Sequence, residues 1–290
     1  MAAITGFEDG IAAVNGQQIA FSRAGNGPPA LLLHGFPQTR AMWHGIAPDL
    51  AKDYTVIAAD LRGYGDSSKP DRVEDMSFRK MATDMVSLMD HLGFDRFHLV
   101  GHDRGARVAH RLALDHEAPL SLTMMDIIPT QHLLAELSHQ VAQAYYHWFF
   151  LAQPGPFPET MIGHDPDHYY QTCLTGWDSA TLDGWDQDAL AQYRQSWRRP
   201  ETIAAMCHDY RAAIEIDIID DAHDLLRRVT VPALVLYGEA GVMAREYDFT
   251  EVWGERLSDL QVQPIPGGHF FPDLHPGKTL QALKAFLSGL

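Results

Sequence analysis

Short apolar runs bounded by glycine and proline alternate along the chain with longer amphipathic stretches, the spacing expected of a parallel sheet covered by helices. Residues 30–34 (ALLLH), 55–59 (TVIAA), 97–101 (FHLVG), 120–126 (LSLTMMD), 231–237 (VPALVLY) and 260–265 (LQVQPI) read as buried strands. Residues 15–22 add an antiparallel hairpin at the N-terminal edge, and a helix is predicted over residues 106–114. Between residues 129 and 228 the strand pattern stops and gives way to aromatic, histidine-rich helical sequence with proline-rich turns such as QPGPFP. The expected architecture is an α/β core of residues 1–128 and 229–290, with a mostly parallel sheet, and a helical cap of residues 129–228 inserted between two strands. Such a cap would cover the carboxyl ends of the strands, where open α/β sheets bind ligands.

Composition narrows the function. With 22 basic and 38 acidic residues among 290, the formal charge of −16 argues against nucleic acid or an anionic membrane as partner. An anionic substrate would have to be gathered by a few placed arginines against that field. Two cysteines, Cys173 and Cys207, match neither a disulfide framework nor a metal-ligand spacing and read as packing residues. The N-terminal stretch lacks a signal-peptide pattern and no window resembles a membrane span, so a cytoplasmic protein is expected.

The sharpest motif is Gly101-His102-Asp103-Arg104-Gly105-Ala106, between a strand and a helix. It has the form of the nucleophile elbow of α/β-hydrolase folds, in which small residues flank a strained turn that lifts the attacking group into the site. The attacker here is the carboxylate of Asp103, which points away from serine esterases and toward displacement at carbon through an alkyl-ester intermediate. The competing reading is an ordinary helix-capping aspartate. His269, in PGGHFFP after the last strand, stands where the base of a triad belongs. Asp126, ending the strand before Ile127-Ile128-Pro129, is the preferred acid behind it, with Glu239 as the alternative. The backbone N–H groups of Phe36, in His34-Gly35-Phe36-Pro37-Gln38, and of Arg104 would form an oxyanion hole. The glycine-rich loop at residues 60–68 reads as scaffold, since no Lys-Ser/Thr follows its glycines. His164 and His168, among Asp165 and Asp167, could suggest a metal site, but the proline between them favours a solvated loop. His102 and His110 read as packing around the elbow helix, and Trp43 either lines the pocket or packs beneath it.

The motifs HGFPQTRAMW, DLRGYGDSSKP, VGHDRGARVAHRLALDH, MDIIPT, YYHWFFLAQP, CHDYRAAIEID and GGHFFPDLHP, spread over most of the chain, resemble those of the haloacetate (fluoroacetate) dehalogenase family of α/β hydrolases. The first two are shared with epoxide hydrolases and haloalkane dehalogenases. Those enzymes usually carry tryptophan after the nucleophile, where this chain has Arg104, followed by Arg107 on the same helix face. The resemblance implies that Arg104 and Arg107 bind a substrate carboxylate, and that His147, Trp148 and Tyr210 donate hydrogen bonds to a departing halide. From the residues alone, the YYHWFF aromatics read more readily as core of the cap than as halide ligands. The resemblance further implies hydrolysis of short 2-haloacids to the hydroxy acid and halide, a homodimer, and no cofactor or metal. Two other readings are an epoxide hydrolase using the same triad, with Tyr210 and Tyr145 or Tyr146 as acids, and a catalytically idle fold that binds small acids.

Overall fold

The computed structural model describes residues 2–176 and 181–290. Among the described residues, eight strands form one sheet in the order β1-β2-β4-β3-β5-β6-β7-β8. The first two, β1 (Glu8–Val14) and β2 (Gln17–Ala24), make an antiparallel hairpin around Asn15 and Gly16, both in left-handed backbone. The hairpin therefore spans residues 8–24 and turns at the start of the 15–22 stretch that the sequence suggested would hold all of it. β1 escapes a sequence reading because only Ala12 and Val14 in it are buried.

The other strands run parallel: β3 (Pro29–Leu33), β4 (Thr55–Ala59), β5 (Phe97–His102), β6 (Pro119–Met125), β7 (Ala233–Gly238) and β8 (Leu260–Ile265). β4 and β5 are wholly buried, as strands of a doubly covered sheet should be, so their sequences are mostly apolar, interrupted only by Thr55, His98 and His102. β7 starts at Ala233 because Pro232, lacking an N–H, contributes only its carbonyl, which accepts from Leu122 at 3.0 Å.

From β3 the chain passes to β4 on one side and then to β5 on the other, so β3 and β5 flank the topological switch point, where a ligand crevice is expected. The loop after β3 carries Phe36, and the turn after β5 carries Asp103. Between β6 and β7 the described residues form helices, from Thr130–Ala135 through Pro200–Ala212 to Ile218–His223. Polar contacts tie these helices to the core: Gly65 N–H donates to Ser196 Oγ at 3.1 Å and Phe78 N–H to Asp217 Oδ1 at 2.9 Å. No helix among the described residues is long and apolar enough to cross a membrane.

Candidate active site

Asp103 links β5 to the helix Arg104–Asp115 with φ 48° and ψ −115°, a strained conformation for a residue bearing a side chain. Its neighbours explain how the strain is held. A methyl group on Gly105 would collide with the carbonyl oxygens of Leu33 and His34, and one on Gly101 with the carbonyl of Gly105. The turn can therefore be this tight only with glycine on each side. Asp103 is 4 % exposed, and its Oδ1 accepts the Phe36 N–H at 2.8 Å. Burial pushes the carboxyl's pKa up, but His269, His102, Arg104 and the Phe36 N–H together outweigh it and hold the group below the usual aspartate value. The elbow carboxyl is thus ionised at neutral pH.

His269 follows β8. Its Nε2 faces Asp103 Oδ2 at 3.8 Å, and its Nδ1 lies 2.7 Å from Asp126 Oδ2. Asp126 leaves β6 with φ 54°, which turns its carboxyl toward His269, and its Oδ1 accepts the Gly238 N–H at 2.9 Å. Asp126 rather than Glu239 meets His269; the Glu239 side is exposed. His102 lies beneath, its Nε2 2.9 Å from the His269 carbonyl, and burial drives its pKa to about 4, so it is neutral.

Both arginines keep unpartnered donors among the described residues, but only Arg104 has a protein counter-ion. Arg104, fully buried, is gripped by Asp209: Nε donates to Oδ2 at 2.9 Å, and Nη2 to both the Asp209 carbonyl at 3.0 Å and Oδ1. Tyr64 O–H donates to the same carboxylate at 2.5 Å. Burial opposes the Arg104 charge, yet Asp209 more than compensates and raises its pKa. A charge that seemed in the sequence to need an anionic ligand thus already has a protein counter-ion, and only Nη1 remains without a partner among the described residues. Arg107 Nη1 donates to the Ile128 carbonyl and to Thr130 Oγ1, each at 2.9 Å. Its Nε and Nη2 are buried without a partner among the described residues, and burial lowers its pKa. A buried cation with two idle donors is costly unless an anion joins it.

Over this floor the inserted helices lower a ring wall. The His147 ring stacks on Phe36 at 5.5 Å, while Tyr210 meets Phe36 at 5.1 Å, His147 at 5.6 Å and Trp148 at 5.5 Å, all edge-to-face. Arg104 Cζ lies 4.4 Å from the Tyr210 ring centre, and Arg107 Cζ 4.8 Å from that of Trp148. Trp148 Nε1 and Tyr210 O–H are buried without a hydrogen-bond partner among the described residues. Burial holds His147 at about 3, hence neutral, and raises the Tyr210 and Tyr145 phenols well above the usual value, hence protonated. The site thus combines a charged floor with a neutral, donor-rich roof.

The remaining candidates lie outside it. His110 packs edge-on against Trp253 at 5.1 Å, and Trp43 is buried in the core. Asp165 caps the helix Pro166–Thr175 and Asp167 pairs with Arg198, so both acids of the His164–His168 stretch have structural partners. Cys173 and Cys207 are buried free thiols. Asp209 and Thr130, which orient the two arginines, were not singled out in the sequence, although both sit inside the motifs CHDYRAAIEID and MDIIPT.

The alpha/beta hydrolase fold family matches residues 28–276. A fluoroacetate dehalogenase of Burkholderia sp is 50 % identical over 98 % of this chain and 94 % of its own length. A soluble epoxide hydrolase of Corynebacterium sp. (strain C12) is 30 % identical over 95 % of this chain and 96 % of its own. A crystal structure from Nostoc sp PCC 7120, described as of the alpha/beta hydrolases, superimposes with a TM-score of 0.96 at 46 % identity, covering 99 % of each chain. The elbow carboxylate, its His–Asp partners and this near full-length similarity agree: the chain belongs to the α/β-hydrolase superfamily and, within it, to the haloacetate dehalogenase family of hydrolases.

Proposed function

We propose that this hydrolase removes halide from short 2-haloacids such as fluoroacetate and chloroacetate, releasing glycolate through an ester on Asp103. The observation that carries the reading is the buried Arg107 guanidinium, with two donor nitrogens unpartnered among the described residues, beside an ionised elbow carboxylate. Its Nε and Nη2 suit a carboxylate by charge-assisted hydrogen bonds, with Arg104 Nη1 as a further donor. Held this way, the α-carbon faces Asp103 Oδ2, since Oδ1 is occupied by the Phe36 N–H. Oδ2 forms a C–O bond as the carbon–halogen bond breaks and its electron pair leaves with the halide. Trp148 Nε1–H, Tyr210 O–H and the neutral His147 ring supply the hydrogen bonds that water would otherwise give that ion.

In the second step His269 Nε2 takes a proton from a water that attacks Cγ of the ester. Negative charge gathers on Oδ1, where the Phe36 N–H already donates and the Arg104 N–H would join it. Collapse expels the glycolate oxygen, which recovers the proton from His269, and Asp103 is regenerated as a carboxylate carrying one oxygen from water once the second water proton passes to solvent. Asp126 keeps the imidazole oriented and stabilises its cation.

The test is halide release from fluoroacetate and chloroacetate in parallel, with Asp103→Ala as blank. Halide from the wild type alone is expected, and silence on both substrates would sink the reading. Epoxide opening is the second reading, favoured by the protonated Tyr210 and Tyr145 phenols. Asp209 removes Arg104 as an objection to it, but a neutral epoxide would still leave Arg107 without its anion. Turnover of styrene oxide in place of haloacetate would select it.

A further inference from the structure

Away from the reacting atoms, one buried carboxyl joins three separate parts of the chain. Asp273 Oδ2 accepts from Gln38 Nε2 at 2.6 Å, and its Oδ1 accepts from Tyr193 O–H at 2.9 Å. Gln38 stands two residues beyond Phe36, in a turn closed by its own N–H on the Gly35 carbonyl at 3.0 Å. Asp273 stands four residues beyond His269, in turns closed by Phe271 N–H on Gly268 and Asp273 N–H on Phe270, both at 3.1 Å. Tyr193 belongs to the inserted helix Gln187–Trp197.

From this juxtaposition we propose that Asp273 is a positioning residue for ester hydrolysis, fixing the oxyanion-donor loop and the base-histidine loop relative to each other and tying both to the inserted helices. The inference rests on the two-step reading above. Forming the ester needs Asp103, the carboxylate grip and the halide donors, and Asp273 bonds none of them directly, its carboxyl partners being Gln38 and Tyr193. Hydrolysing it needs the Phe36 N–H and His269 Nε2 to address the same carbon at once, from two loops whose connection through Asp273 is side chain to side chain. Small misplacements of such groups are expensive in rate. Burial, with Asp186 adding to it, outweighs the Tyr193 and Gln38 hydrogen bonds and raises the pKa of this carboxyl to about 7, so keeping it ionised here costs free energy. Packing alone does not require an ionisable group at this position.

Single-turnover reaction with bromoacetate, followed by the mass of the Asp103-containing peptide, separates the two steps. His269→Asn is the reference that traps the ester. Asp273→Asn is expected to form ester at close to the wild-type rate and to hydrolyse it about tenfold more slowly, so that the adduct accumulates. Tyr193→Phe, which cuts only the link to the inserted helices, is expected to show a smaller delay in the same step. Hydrolysis at the wild-type rate in Asp273→Asn, or equal loss of both steps, would overturn the inference. Should that variant not fold, Gln38→Leu severs the oxyanion-loop link and is read by the same criterion. If His269→Asn itself traps no ester, the two-step reading fails and this inference falls with it; ester in His269→Asn without any in the Asp273 and Gln38 variants overturns the inference alone.

Discussion

Two arginines three residues apart on one helix look interchangeable in sequence and are not so in the fold. Arg104 is neutralised by Asp209, which Tyr64 braces in turn, whereas Arg107 touches only neutral oxygens. Their substitutions should therefore fail differently. Arg107→Ala is expected to keep its melting temperature and lose haloacetate kcat/KM on the order of 10²-fold, since charge-assisted hydrogen bonds contribute about 1.5–3 kcal/mol each. Arg104→Ala strands the Asp209 carboxylate in the interior and should lower stability by about 3–5 kcal/mol, the usual cost of breaking a buried pair. Thermal melts beside steady-state kinetics check both, and an Arg107→Ala enzyme with an unchanged KM would assign the carboxylate grip elsewhere.

The elbow works because β3, β5 and the helix Arg104–Asp115 pass closer than any side chain allows. Gly105→Ala would place a methyl against two carbonyl oxygens of the β3 exit, so the helix must retreat, and Asp103 with it. Overpacking of this kind costs about 1–3 kcal/mol, and activity should drop far more than stability does. Gly254, at the end of the helix Phe249–Gly254, has open space around the same atom, and Gly254→Ala should stabilise by roughly 0.5–1 kcal/mol with turnover intact. Equal behaviour of the two variants in melts and assays would contradict the tight-elbow account. The same contrast explains what was legible beforehand. Fully buried strands such as Thr55–Ala59 announce themselves, because both faces must be apolar, and the elbow does so because its glycines are obligatory. Half-solvated β1 and the side-chain partners of Arg104 do not, because nothing local in the sequence says that Asp209, 105 residues away, will meet that guanidinium. Asp126 was readable only by elimination, from the lack of an aspartate after β7.

Over the whole molecule, buried imidazoles make stability depend on pH in a direction that can be worked out. Burial takes His102 and His110 to about 4 and His147 to about 3, all below the ordinary 6.5. Between those values and 6.5 the unfolded chain binds protons that the folded chain refuses, so each group's contribution is intact above 6.5 and is lost as pH falls toward 4. Asp273, at about 7, and Asp217, raised well above its usual value, act in the opposite sense, because in their window the folded state holds the extra proton. The net slope mixes both signs, and the informative quantity is therefore a difference between variant and wild type. His110 is suited to this, since it packs against Trp253 and stands apart from Asp103 and the ring wall. His110→Gln cannot take up a proton in either state. Its melting temperature should therefore change less than that of the wild type between pH 7.5 and pH 5, while halide release at neutral pH stays near normal. Parallel melting curves across that interval would mean that His110 is no harder to protonate in the folded protein than in the unfolded chain, and the burial argument for the other two imidazoles would weaken with it.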